Sequence, residues 1–245
     1  MFMGGIDQEQ RARIKQFLAY SKPEKIAFVL VALFAGLIFS LRFPGESFTI
    51  SRWFSFFIWS SVIAAISILI RVSWQKMVGL RRGYYVEYQI LWAGVAASLL
   101  LAIVTRGYIP LLALGAVTTT FMVRQRVGEF RYGTSFKDVA MVIMWSVIIH
   151  LILAAIFAFL LYAFPSSALF EKAMLMNLMF AFVTLLPLPS LDGMQLFFGD
   201  RQMYFLGVLA LLFFGSLLIT QSRIGLLVGL TLGLIIGAIS YLWTD

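Results

Sequence analysis

The chain has 245 residues, of which 62% are hydrophobic and only 12% charged, and its mean hydropathy is +0.96. These values lie far outside the averages of soluble domains and predict an integral membrane protein. The absence of cysteine excludes disulfides and thiolate metal sites, and the single histidine, His150, excludes a two-histidine metal site within one chain.

The first residues of the chain are polar. Residues 1–25 predict a cytoplasmic segment that precedes a single membrane domain, residues 26–245. Within the segment, residues 7–22 favour a short amphipathic helix on the membrane surface, because Ile14 and Phe17 share one helical face. A solvated tail is an equally good interpretation of so short a pattern.

Eight apolar runs follow along the chain. They cover residues 26–41, 53–70, 90–104, 108–123, 139–164, 173–198, 203–219 and 224–243. A helix needs about 20 residues to cross the hydrocarbon core, so the third and fourth runs predict a tight hairpin that is only marginally long enough to span. The predicted fold is all-α and polytopic, with six to eight transmembrane or re-entrant helices.

The distribution of basic residues predicts the orientation in the membrane. With eight crossings and a cytoplasmic N-terminus, only five of the 19 lysines and arginines lie outside: Arg42, Arg52, Arg106, Lys172 and Arg223. This asymmetry is typical of a multi-pass protein of the cell membrane whose N-terminus is cytoplasmic. The net charge of +8 is thus explained by basic residues on the cytoplasmic side of the membrane. We therefore expect the lipid bilayer, and no nucleic acid, as a partner.

One carboxylate, Asp192, interrupts the sixth run in the stretch LLPLPSLDGMQLFF, residues 185–198. Pro187 and Pro189 remove backbone donors and Gly193 permits unusual dihedrals, so the helix is predicted to break there. A broken helix with a carboxylate at membrane depth indicates a functional site. The alternative is that Asp192 caps the following half-helix or pairs with a cation.

The last run carries glycine at every fourth position: Gly225, Gly229, Gly233 and Gly237. This spacing clears one helix face and predicts close helix packing. We expect that face to pack against the preceding helix, because short connections make neighbours, and a dimer or partner interface is the alternative.

The stretch NLMFAFVTLLPLPSLDG, residues 177–193, resembles the site-2 protease family of intramembrane zinc metalloproteases, whose late motif reads N-x-x-P-x-x-x-L-D-G. The resemblance implies that Asp192 matches the third zinc ligand of that family, while Thr184 replaces the motif's asparagine. Further segments resemble the archaeal branch of the family, and the similarity covers residues 53–200. These segments are YYVEYQIL (84–91), ALGAV (113–117) and, more faintly, WSVIIH (145–150).

The family's H-E-x-x-H helix falls on RVSWQ, residues 71–75. Arg71 stands at the first histidine, Val72 at the general-base glutamate and Gln75 at the second histidine. A guanidinium repels a divalent cation, valine cannot accept a proton and an amide is a poor zinc ligand. We therefore expect no bound metal, no other cofactor and no catalytic residue.

The sequence predicts a non-catalytic function, that of a pseudoprotease. It would bind transmembrane helices or act as a subunit or regulator of a membrane complex. The groove for such a partner is predicted around Thr184, Pro187, Pro189 and Gly193, where unpaired backbone can bind an extended peptide by strand addition. The alternatives are an active intramembrane metalloprotease with an atypical site, and a transporter that uses Asp192 in its broken helix.

Two contacts are predicted between helices. Arg71 should form an ion pair with Asp192 at the position of the family's metal, and Gln75 should add a hydrogen bond. The alternative is that Arg71 extends to the membrane surface while Asp192 caps a local turn. His150 should make one hydrogen bond to a neighbouring helix rather than bind a metal.

Overall fold

The computed structural model describes residues 18–42, 49–121, 135–220 and the single residue 231, and 75% of it is helical. The helices are α1 (Lys22–Ser40), α2 (Ile50–Arg81), α3 (Trp92–Val104), α4 (Phe136–Ala163), α5 (Ala168–Leu185), α6 (Asp192–Gly199) and α7 (Arg201–Thr220). Two strands, β1 (Tyr84–Ile90) and β2 (Gly115–Phe121), pair antiparallel, with Tyr88 opposite Val117.

Five of the helices, α1, α2, α4, α5 and α7, are long and apolar enough to cross a membrane. The chain is therefore a mostly helical, multi-pass membrane protein. The amphipathic helix predicted at residues 7–22 lies outside the described residues as far as residue 17; residues 18–21 are not helical and Lys22 already begins α1, so the predicted C-terminal end of that helix is wrong. The prediction for the packing of Gly225, Gly229, Gly233 and Gly237 lies outside the described residues.

The prediction of an all-α fold is wrong, because residues 84–90 and 115–121 form the two-stranded sheet. In β1, buried residues alternate with half-buried or exposed ones over most of the strand. That period of two, together with the β-branched residues of the sequence GAVTTTF in β2, is typical of strands. The apolar run at residues 108–123 masked the signal of β2, while β1 lies between two apolar runs and was not assigned to any element.

The predicted hairpin of apolar helices at residues 90–123 is accordingly wrong in its second half. The first half is α3, which has 13 residues and is too short to span alone. The chain then returns as non-helical backbone beside α3, where the N–H of Ala113 donates to Ser98 Oγ at 3.1 Å. This bond satisfies a backbone donor that would otherwise be buried without a partner.

The predicted break in the sixth run is confirmed, since α5 ends at Leu185 and α6 begins at Asp192. Gly193 lies so close to the preceding segment that an added Cβ would stand 2.3 Å from the Leu186 carbonyl oxygen. Ser190, in the connecting turn, adopts a left-handed conformation with φ of 69°. Close approach and a tight turn thus bring Asp192 back against the end of α5.

The long helix α4 is the centre of the bundle. In its most apolar stretch of 18 residues, 78% of the residues are buried inside the protein, against 28% in the corresponding stretch of α7. α4 packs against α2, α5, α6 and α7. Because α4 contacts both α2 and α6, it holds Arg71 and Asp192 within reach of each other.

Candidate functional site at the sheet end of the helices

The predicted ion pair between Arg71 and Asp192 is confirmed. The Arg71 guanidinium Nη2 donates to Asp192 Oδ2, and the two side chains are only 4% and 2% exposed. The pair joins α2 to α6 across 121 positions of sequence. The alternative, in which Arg71 extends to the membrane surface, is therefore wrong.

The remaining polar atoms of this pair are also engaged. Asp192 Oδ1 accepts a hydrogen bond of 2.9 Å from the backbone N–H of Val117 in β2. Arg71 Nε donates to Gln75 Oε1 at 3.2 Å, which confirms the predicted bond, and Gln75 Nε2 donates to the Val142 carbonyl of α4 at 3.3 Å. Four elements are joined by one buried network, in which each charge is paired.

These residues do not fit a metal site. Arg71 directs a permanent positive charge at the only carboxylate of the network, and Val72, completely buried on α2, offers no ligand atom. Within residues 18–42, 49–121 and 135–220, no three His, Cys, Asp or Glu side chains come together as a metal site. The guanidinium instead occupies the position from which a cation would bind Asp192.

A second buried ion pair, which the sequence analysis missed, lies beside the first. Lys76 Nζ donates to Glu24 Oε2 at 2.7 Å, and both side chains are 2% exposed or less. Glu24 Oε2 also accepts from the N–H of Ser21 at 2.9 Å as part of a capping box at the start of α1. The S-x-x-E spacing in the sequence is typical of a capping box, but nothing in the sequence near Lys76 indicates that its charge is buried against Glu24.

The two pairs hold opposite edges of the sheet at the same level. Glu24 Oε1 accepts from the N–H of Tyr88 at 3.1 Å, and Asp192 accepts from the N–H of Val117, which is the cross-strand partner of Tyr88. An isolated pair of strands leaves edge donors unpaired, and burying such donors is costly. Each carboxylate satisfies one edge donor, and a cation on α2 balances each carboxylate.

Burial governs the electrostatics between these pairs. It raises the pKa of the Tyr88 hydroxyl, while nearby Arg71 opposes that rise. It also raises the pKa of the Asp192 carboxyl, and the Arg71 charge and the Val117 N–H oppose the rise. A cavity of about 10 Å³ beside Arg71, Tyr88 and Asp192 is close to the space that one water molecule needs.

His150 lies in a separate polar contact inside the bundle, and its predicted hydrogen bond to another helix is confirmed. Its Nδ1 lies 3.1 Å from Asn177 Oδ1 of α5, and Asn177 Nδ2 donates to the Ala173 carbonyl at 2.9 Å. The ring stacks on Phe180 with centroids 5.0 Å apart. The contact packs α4 against α5 and does not reach the Arg71 pair by any hydrogen bond among the described residues.

The four predicted groove residues fall in different surroundings. Thr184 is buried, donates to the Phe180 carbonyl at 2.8 Å and borders the small cavity. Pro187 and Pro189 are exposed in the turn after α5, and Gly193 is buried in α6. Their role in binding a partner stays a prediction.

A larger groove opens beside them between Thr119 of β2, the start of α4 and α6, and we call it the β2 groove. It has a volume of about 660 Å³ and is lined by Thr119, Phe136, Val139, Ser190, Leu191, Met194, Gln195 and Phe198. Since the N–H of Val117 points away from β1, the backbone of Thr119, two residues later, faces the same outer edge. The groove therefore combines a strand edge with apolar walls.

The helix lengths locate this site near one end of the bundle. At about 1.5 Å per residue, the 19 residues of α1 span about 29 Å, close to the thickness of a hydrocarbon core. Glu24 lies in the first turn of α1, and Asp192 follows the end of α5. Both ion pairs thus lie towards the boundary of the apolar layer, at the end that carries the sheet.

The fold and the site together define a multi-pass membrane protein with a buried, ion-paired network at one end of its helices. Comparison with protein-family models, curated proteins and solved structures finds no match to this chain.

Proposed function

We propose that the chain is a non-catalytic relative of the site-2 proteases, a pseudoprotease that binds a segment of another membrane protein. The observation that carries the proposal is the Arg71–Asp192 pair, with Gln75 beside it. By the resemblance of the motifs to that family, these three positions correspond to its metal ligands. An internal ion pair there keeps α2 and α6 together without a metal, so the fold survives while hydrolysis is lost.

The β2 groove supports the binding part of the proposal. Its strand edge at Thr119 offers backbone groups to an extended peptide, and Met194 and Phe198 offer apolar side chains. A segment that leaves the membrane at this level can present both an extended backbone and apolar side chains. We therefore expect the partner to be a transmembrane helix with its adjoining residues, or another subunit of a membrane complex.

The two alternatives have less support. A protease with an atypical site needs a group that activates water, and beside Asp192 itself the polar side chains that line the small cavity are Arg71, Tyr88 and Thr184. A transporter needs a carboxylate that a substrate or ion can reach. Asp192 is 2% exposed, lies towards one end of the helices and already has two partners.

Site-specific photo-crosslinking tests the proposal. A photoreactive residue placed at Thr119 or Met194 in native membranes should give an adduct with one defined membrane protein. A matched residue at Leu209, which is 65% exposed on α7, is the control for contact with bulk membrane proteins. Equal adducts from all three positions, or chelator-sensitive cleavage of the captured protein, would contradict the proposal.

The positive-inside asymmetry assigns the sheet end to the cytoplasm in this proposal. Because the chain has no cysteine, a single cysteine introduced at Arg82 reports the orientation without background labelling. It should react with an impermeant maleimide only after the cells are opened. Labelling in intact cells would reverse the orientation and exclude a cytoplasmic partner segment.

A further inference from the structure

A second groove lies between α1 and β1, on the other side of the sheet from the β2 groove, and we call it the α1–β1 groove. It has a volume of about 360 Å³. One end is bordered by the polar residues Ser21, Glu87 and Gln89, and the other by the apolar residues Ile26, Leu30 and Trp92. The groove is therefore amphipathic along its length.

The polarity of this groove follows the expected boundary of the membrane. From Ser21 to Leu30 the chain advances by nine residues, or about 13 Å of helix rise, into the apolar layer. At the apolar end, Ile26 and Trp92 are each 61% exposed. Tryptophan is enriched at membrane interfaces, where its ring bridges apolar and polar surroundings. A ligand with a polar head and an apolar chain matches this gradient.

The charges at the polar end select the head group. Glu24, which also borders the groove, is neutralised by Lys76, and among the described residues that line the groove Glu87 is the carboxylate outside a buried ion pair. Tyr85 hydrogen-bonds the Glu87 side chain, but a carboxylate has about four acceptor positions. Glu87 and the exposed amide of Gln89 can thus accept hydrogen bonds from a primary ammonium.

Two exposed lysines, Lys22 and Lys25, lie on the first turns of α1 outside the lining of the groove. They are next in sequence to Pro23, Glu24 and Ile26, which border it, so their flexible side chains can extend to its rim. A phosphate is attracted to such cations at the start of a helix. A head group that carries a phosphate and an ammonium together would meet both kinds of charge.

We propose that the α1–β1 groove is a binding site for a phospholipid with a primary-amine head group, of the ethanolamine type. The ammonium lies at Glu87 and Gln89, the phosphate faces Lys22 and Lys25, and one acyl chain follows Ile26 and Leu30. A choline head group has no N–H to donate, and an anionic glycerol head group leaves Glu87 without a cation. This site is independent of the proposed function, because it shares no residue with the β2 groove.

Native mass spectrometry of the delipidated protein in detergent tests the site. Ethanolamine, choline and glycerol phospholipids with identical acyl chains are added separately, and the bound lipid is counted. We expect the ethanolamine lipid to bind about fivefold more tightly than the others, the ratio that about 1 kcal/mol gives. Equal binding of the three lipids would overturn the proposal.

Two variants separate the head-group contact from the apolar contact. Glu87→Gln should abolish the preference for ethanolamine, while Glu171→Gln, at an exposed acidic residue near the start of α5, should leave it intact. Leu30→Trp should fill the apolar end and remove the bound lipid whatever its head group. An unchanged preference in Glu87→Gln, or an unchanged amount of bound lipid in Leu30→Trp, would overturn the assignment.

Discussion

Breaking the Arg71–Asp192 pair should destabilise the protein strongly. The variant Arg71→Met keeps an unbranched side chain but leaves Asp192, which is 2% exposed, as a buried and unpaired carboxylate. Removing one partner of such a buried pair costs about 3–5 kcal/mol of the free energy of unfolding. The loss can be measured by SDS-induced unfolding in mild detergent, followed by the fluorescence of the six tryptophans.

Arg82, the residue that directly follows α2, offers a matched control. Arg82 pairs with Asp138, but these side chains are 21% and 30% exposed, so Arg82→Met should cost about 1 kcal/mol or less. The double variant Arg71→Met with Asp192→Asn should lose about 2 kcal/mol less than the sum of the single variants, because no buried charge is left alone. If Arg71→Met were no more harmful than Arg82→Met, or if the two single losses added fully, the reasoning would be refuted.

Three further perturbations address the neighbouring contacts, each measured by the same unfolding assay. Lys76→Met should cost about 3–5 kcal/mol, because it leaves Glu24 as an unpaired charge that is 2% exposed, and a loss below 1 kcal/mol would count against the second pair. Gly193→Ala should cost about 1–3 kcal/mol, since its Cβ would meet the Leu186 carbonyl at 2.3 Å, and full stability would contradict this close approach. Ser190→Gly should stabilise the protein by about 1 kcal/mol by relieving the left-handed conformation, so a loss of stability there would show that the serine side chain has a role of its own.

Several features of the site could be predicted from the sequence. Each depends on the backbone preferences of nearby residues or on the need of a buried polar side chain for a partner. Two prolines and a glycine near Asp192 predicted the break between α5 and α6, which the structure contains. An ionisable residue in an apolar run needs a partner, and it was the resemblance to the site-2 proteases that implied Arg71 as the partner of Asp192, as the structure has it. A polar His150 inside a long apolar run needed a hydrogen bond for the same reason.

The sheet and the second ion pair did not follow, because both depend on long-range contacts. β2 lies in an apolar run that resembled a membrane helix in composition, and its partner β1 is distant in sequence, since the pairing joins residues 84–90 to residues 115–121. The contact of Glu24 with Lys76 spans 52 positions. Its role depends on the fold as well, because Glu24 also accepts a hydrogen bond from the edge N–H of Tyr88. Hydropathy and charge counting carry no information on which carboxylate satisfies which strand edge.

The proposal that the Arg71–Asp192 pair stands where the site-2 proteases bind their metal is tested most directly by restoring the ligands of that family. The triple variant Arg71→His, Val72→Glu, Gln75→His places two imidazoles one turn apart on α2, opposite Asp192. The glutamate directly follows the first of them in sequence. Zinc per chain, measured by elemental analysis of folded protein, should approach one in this variant, fall when Asp192→Asn is added, and be negligible in the natural chain. Stoichiometric zinc in the natural chain, or a folded triple variant that binds no zinc, would contradict the account.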